Sequence, residues 1–206
     1  MGKHQTLTAA IKEDHQEMYD YYDEYIRAGA IKDVSAQARW ANQLRWEVAR
    51  HAAGEEIVVY PLMEKHLGTE GVRLADEDRT QHQSVKELLY QLESLSAGTD
   101  QFDTKLKAIV DHLKPHNDSE EQNDLPALER VLGPENSKKA AASFERTKKF
   151  VPTHPHPSAP NKPPYETLAG FLAYPMDKLK DMFAAFPTDD MKQQMETHEN
   201  KTINTT

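Results

Sequence analysis

The sequence predicts an all-α chain organised as an up-down four-helix bundle over residues 5–133, with further helices C-terminal to it. Three observations carry that expectation. Apolar residues recur at three- and four-residue spacing through four long segments, the period of a helix with one buried face. Short clusters of Gly, Ser, Thr and Asp between those segments stop one helix and cap the next. The alternation of apolar and polar positions that marks a half-buried strand is absent.

The first helix spans 7–29, with Thr6 or Thr8 as cap, Gly29 as stop and Leu7, Ile11, His15, Met18, Tyr22 and Ile26 on its inner stripe. The second spans 34–67 between Asp33 or Ser35 and Gly68, and Pro61 is expected to bend it or break its last turn. The third spans 70–96 with the stripe Leu74, Asp78, His82, Val85, Leu89 and Leu92. The fourth begins near Gln101 and contains Pro115, a kink that is either incidental or a means of aiming His116. Asp124-Leu125-Pro126 predicts a further break before a short helical stretch, Ala127–Leu132.

Residues 134–150 read as an exposed basic fifth helix carrying Lys138, Lys139, Arg146, Lys148 and Lys149. Six prolines in the fourteen residues 151–164 predict an extended linker. Residues 165–186 form an amphipathic helix bearing Leu168, Phe171, Leu172, Leu179, Met182 and Phe183, interrupted at Pro175. It is expected to dock on the bundle, with partner binding or dimerisation as the alternative. Residues 187–206 are polar and expected to be disordered.

Composition narrows the function. A net charge of -9 and a pI near 5.6 argue against a nucleic-acid surface. With no cysteine, disulfides, thiolate metal sites and cysteine nucleophiles are excluded. The N-terminus lacks the apolar core of a signal peptide, and no apolar run approaches the ~18 residues of a membrane span. A cytoplasmic protein, monomeric or weakly dimeric, is expected.

The chemistry concentrates in two related stretches. His51-Ala52-Ala53-Gly54-Glu55-Glu56 is followed by Pro61 ten residues after the histidine; His116-Asn117-Asp118-Ser119-Glu120-Glu121 is followed by Pro126 at the same distance. Residues four apart share a helix face, so each copy aims an imidazole and a carboxylate at one point. In both, the pair interrupts an apolar stripe, and burying such groups is costly unless something satisfies them. His15 and His82 interrupt the other two stripes in the same way. Six residues, His15, His51, Glu55, His82, His116 and Glu120, are therefore candidate metal ligands at one level of the bundle core. Four imidazoles and two carboxylates suit two cations bridged by Glu55 and Glu120, with iron favoured over manganese or zinc by the mixed nitrogen and oxygen donors. His112, one turn before His116, is a further candidate ligand, and Asp78 and Glu87 are candidates to accept from imidazole N–H groups. His4, His66, His154, His156 and His198 lie outside the stripes and are expected to be solvated. No catalytic acid or base stands out beyond these ligands.

Asp14-His15, the HAAGEEIVVYP stretch, the lone His82 and the HNDSEEQNDLP stretch together resemble the hemerythrin-like (HHE cation-binding) domain family, over residues 7 to about 132. The proline-rich linker and final helix resemble the extension of its fungal members. The resemblance implies a four-helix bundle around a non-haem di-iron centre that binds O2 or peroxide, senses oxygen or iron, or handles iron and oxidants. Carried over, His15 and His51 serve one iron, His82 and His116 the other, and Glu55 and Glu120 bridge them. The oxygen-carrying members have a second histidine one turn along the third helix, where this chain has Lys86. One fewer imidazole leaves an iron more open, which argues against simple reversible O2 carriage. Two alternatives follow: a di-iron oxidase or oxygenase acting on a small molecule, with Tyr21, Tyr22 and Tyr25 lining its pocket unless they pack in the core, and an iron- or oxygen-responsive interaction module. No membrane or nucleic-acid partner is expected.

Overall fold

Three side chains set helix starts within the bundle. Thr6 accepts from the amide of Ala9 and opens α1 (Leu7–Ala30). Asp33 accepts from Ala36 at the start of α2 (Val34–Gly54), and Thr99 accepts from Phe102 at the start of α5 (Asp100–Ser119). Between them lie α3 (Tyr60–His66) and α4 (Gly68–Leu92); α6 (Leu125–Thr147), α7 (Tyr165–Phe183) and α8 (Asp189–Ile203) complete the chain. This computed structural model describes residues 5–163 and 165–203, with side chains described for 5–163 and 173–198. His4 and the side chains of Leu168, Phe171 and Leu172 lie outside the described residues. Among those described there is no strand, and no helix is long and apolar enough to cross a membrane.

The four rods of the bundle are α1, α2 running on into α3, α4, and α5 running on into the first turns of α6. α1 packs against α2 and α6, α3 against α4, and α4 against α5, closing the ring. Neither the break expected at Pro126 nor the break that is one of two expectations at Pro61 occurs. Instead a π turn, Glu55–Val59, joins α2 to α3, and a second, Glu120–Asp124, joins α5 to α6. The amide of Tyr60 reaches the carbonyl of Glu55, and that of Leu125 reaches the carbonyl of Glu120. A proline removes one amide and crowds the carbonyl four residues back; the wider turn just ahead of it accommodates both without ending the rod. Nor does Pro115 end α5, or Pro175 end α7.

The bundle core has two apolar halves. One gathers Met18, Tyr25, Trp40, Leu44, Leu89 and Ile109. The other gathers Leu7, Ile11, Tyr60, Met63, Leu128 and Phe144. On α1 the buried face turns to Tyr21 and Tyr25 rather than Tyr22 and Ile26, which is 50% exposed, because two successive four-residue steps rotate off the face. Where α4 crosses α3, a Cβ on Gly71 would stand 2.0 Å from the carbonyl oxygen of Met63, so this approach needs glycine.

The expected exposed fifth helix is instead part of the core. Gly133, at φ 71°, breaks the helical path within α6. The following turns bury Ala140, Ala141 and Phe144, and Lys148 just beyond them is 4% exposed. The proline-rich segment lies along the bundle, with Val151, Thr153 and Pro155 buried. Its fastening is polar: buried Asp177 of α7 accepts from the amides of Thr153 and His154 and pairs with His156, while His154 lies between Glu93 and Asp181. His154, His156 and His198 are therefore engaged with carboxylates, whereas His66 is exposed as expected. Leu179, Met182 and Phe183 of α7 face outward rather than docking. The expected disordered tail is helical: Thr188 accepts from Met191, and Met191 and Met195, one turn apart, pack on the first core half.

Phe144→Ala tests whether residues 134–147 belong to the core. Emptying this fully buried site is expected to cost about 3–5 kcal/mol in denaturant melts. A cost below about 1 kcal/mol contradicts that packing.

Candidate metal centre

Between the two apolar halves lies one polar layer. It holds all six residues singled out by the stripes, each buried and each from a different helical segment or π turn: His15 on α1, His51 at the end of α2, Glu55 opening the first π turn, His82 on α4, His116 near the end of α5, and Glu120 opening the second π turn. The imidazoles meet in pairs. His15 Nε2 is 3.0 Å from His51 Nε2, and His82 Nε2 is 3.0 Å from His116 Nε2. Glu55 spans the pairs, with Oε1 3.2 Å from His51 Nε2 and Oε2 3.4 Å from His82 Nε2. Glu120 Oε2 lies 3.8 Å from His15 Nε2. None of the four carboxylate oxygens of Glu55 and Glu120 receives a well-formed hydrogen bond among the described residues. Two sets of donors that could each hold a cation result, His15–His51–Glu55 and Glu55–His82–His116, sharing Glu55.

The outward nitrogens explain why the inward ones converge. His15 Nδ1 donates to Glu121 at 2.9 Å, and Glu121 pairs with Lys12. His51 Nδ1 donates to Asp14 at 2.9 Å, and Asp14 accepts from Lys148 at 2.6 Å. His82 Nδ1 donates to Glu56 at 3.1 Å, and Glu56 accepts from Lys86. A carboxylate behind each of these rings places the N–H on Nδ1 and leaves a lone pair on Nε2. His116 is the exception: Asp78 Oδ1 stands 3.7 Å from its Nδ1, which has no hydrogen-bond partner among the described residues.

The π turns matter here. Adjacent residues of a regular helix point about 100° apart, yet Glu55 and Glu56 are both fully buried. The widened turn lets the first glutamate face the layer while the second supports a histidine on a neighbouring rod. Glu121 does the same for His15.

Two lone pairs 3.0 Å apart repel unless a proton or a cation sits between them. Burial and the neighbouring charges set which ring favours the proton. Burial, then the charge of His51, push His15 down to about 4. Burial opposes charge on His51 too, but Glu55 and Asp14 outweigh it and push the group up to about 10. Burial, then the charge of His82, push His116 down to about 3; for His82 burial is outweighed by Glu55 and Glu56, which raise it. In each pair the surroundings favour a proton on one ring, His51 or His82, over the other. Burial also works against charge on Glu55, but His51 and His82 hold it ionised, well below the usual carboxylate range. Burial and the Glu55 charge drive Glu120 well above that range.

Other sequence expectations fall elsewhere. His112 is exposed, with Nδ1 on the carbonyl of Ala108, and is no part of the layer. Glu87 is exposed and accepts from Gln83. Asp78 faces His116 rather than its helix neighbour His82. Tyr21 stacks on Trp40 and Tyr25 on Phe102, so these tyrosines pack in the core, and Tyr22 stacks on Tyr25 beside them. Sequence reasoning missed the supports Glu56 and Glu121, although the doubled glutamate in each motif was the available signal. It also missed Tyr60, whose buried hydroxyl is 3.1 Å from His82 Nε2, and the supporting role of Lys148.

The model of the hemerythrin HHE cation binding domain matches residues 6–128. An uncharacterized hemerythrin-like protein of Schizosaccharomyces pombe is 50% identical over 181 residues, covering 88% of each chain. No solved structure showed a significant match. The matched span takes in all six residues of the layer, and the chain belongs to the hemerythrin HHE cation-binding domain family.

Proposed function

We propose that this protein is a non-haem di-iron protein that binds O2 or peroxide at the polar layer. The observation that carries the reading is the pair of facing Nε2 lone pairs on either side of Glu55, an arrangement that a divalent cation in each half relieves. The orphaned oxygens of Glu55 and Glu120 supply anionic donors to the same space. Imidazole and carboxylate donors without thiolate favour iron, ahead of manganese or zinc. Bound iron supplies the redox chemistry that O2 and peroxide require. The chain's own residues hold the donors in register, through the carboxylates behind His15, His51 and His82, and keep bulk water out of the layer.

A second reading, a di-iron oxidase acting on a small molecule, is favoured by one feature. A cavity of about 50 Å³ adjoins His82, walled by Val48, Ala53, Ile57, Val85 and Leu89 and roofed by Pro155. It has room for a few water-sized groups. Elemental analysis of the purified protein is expected to give about two iron per chain. Exposing the reduced, iron-loaded protein to air is expected to produce a visible absorption band. Reversal of the band under vacuum supports binding, turnover of added small molecules supports the oxidase, and a chain that takes up no iron when it is supplied refutes both.

Glu55→Ala is expected to lose most of the metal from both halves, because this carboxylate is shared, whereas His112→Ala retains it. The reverse result would mean that Glu55 is not shared between the halves and that the fourth rod is turned to bring His112 to the layer.

Chelation is expected to lower the melting temperature by roughly ten degrees. That gap narrows on acidification from about pH 8 to about pH 5. The sign follows from His51: a cation needs neutral imidazole, and the metal-free group, pushed up to about 10, holds its proton at neutral pH. Its raised value stabilises the metal-free fold fully below about pH 6.5 and less as pH rises towards 10. Acid therefore weakens metal binding while the metal-free fold keeps the His51 contribution, which offsets what the depressed His15 and His116 lose below about pH 6.5. Melts of loaded and stripped protein across this range decide it, and a gap that widens in acid counts against the reading.

A further inference from the structure

We propose that the two halves of the layer bind cations unequally: His15–His51–Glu55 fills first and Glu55–His82–His116 second. The inference rests on the reading of the layer as a two-cation site and concerns what stands behind each imidazole.

In the first half both rings are backed. Glu121 and Asp14 accept from the two Nδ1 atoms at 2.9 Å, and each carboxylate is held in turn by a lysine, Lys12 or Lys148. Both rings are thus fixed in the tautomer and orientation that present Nε2 inward. Glu120 approaches this half as well, 3.8 Å from His15 Nε2.

The second half falls short at both rings. His116 has a gap of 3.7 Å where the hydrogen bond to Asp78 would be, leaving its Nδ1 and Asp78 Oδ2 buried without partners among the described residues. Its tautomer is not set from behind, and the ring is held through its inward nitrogen alone, by His82 Nε2 at 3.0 Å. His82 is well backed by Glu56, but its inward nitrogen already has company: the Tyr60 hydroxyl lies 3.1 Å from Nε2. A cation entering here must displace that contact and orient His116 at its own expense. Missing support of this kind typically lowers affinity about 10–100-fold.

The asymmetry makes two substitutions improve binding, which structural damage alone would not do. Asp78→Glu adds one methylene towards His116 Nδ1. Tyr60→Phe removes the hydroxyl from His82 Nε2 while keeping the ring that packs in the core. Cobalt(II) titration of the metal-free full chain, followed by calorimetry and visible absorption, is the test, with circular dichroism verifying that each variant is folded. The expected result is two steps separated by about 10–100-fold. Tyr60→Phe or Asp78→Glu is expected to tighten the second step severalfold and leave the first in place. His116→Ala is expected to delete the weak step, and His15→Ala the tight one. Two equal steps, or loss of the tight step in folded His116→Ala, would overturn the ordering while leaving the two-cation reading intact. No cobalt uptake by the folded wild-type chain would remove the reading on which the ordering rests.

Discussion

A layer of imidazoles and carboxylates across the middle of an apolar bundle is the constraint to which the rest of the chain answers. Left in an apolar medium, such groups are among the most expensive a protein can bury. The fold meets this cost in two directions. Inward, the lone pairs converge on two points where a proton or a cation would neutralise them. Outward, Asp14, Glu56 and Glu121 receive the Nδ1 hydrogens, and lysines neutralise those carboxylates in turn. Charge alternates from the centre outwards, so the layer is stabilised as a network rather than as separate pairs.

The two apolar halves of the core follow from the same constraint. Each rod carries apolar residues before and after its polar position, such as Ile11 and Met18 around His15, so the layer is shut off from solvent at both ends. Displacing one rod along its axis would set imidazoles against leucines. The polar layer therefore fixes the register of four rods that oily contacts alone would hold only loosely.

Much of this was legible in the sequence, because helical periodicity reports directly on which face is buried. The stripes placed His15, His51, His82 and His116 in one layer, and the four-residue offset brought Glu55 and Glu120 to it. What periodicity could not report is where the period itself changes. Pro61 and Pro126 read as breaks, whereas the chain widens by one residue just before each and carries on. That widening turns Glu56 and the C-terminal parts of both rods, which is why Glu56 went unread as a support. Composition misled at Lys148 and at residues 189–203. A basic helix and a polar tail look solvated when counted, yet one lysine and two methionines at the right positions suffice to dock them.

The lysine behind Asp14 sits 134 residues further along the chain. It also lies beyond residue 128, where the match to the family domain ends. During synthesis, every imidazole and carboxylate of the layer leaves the ribosome before the group that completes the support of His51. The span that matches the family domain and the unit that must be synthesised before the layer is braced are therefore different lengths of chain. A nascent bundle that closed before its last helical turns emerged would hold His51 against Asp14 with Lys148 still missing behind them.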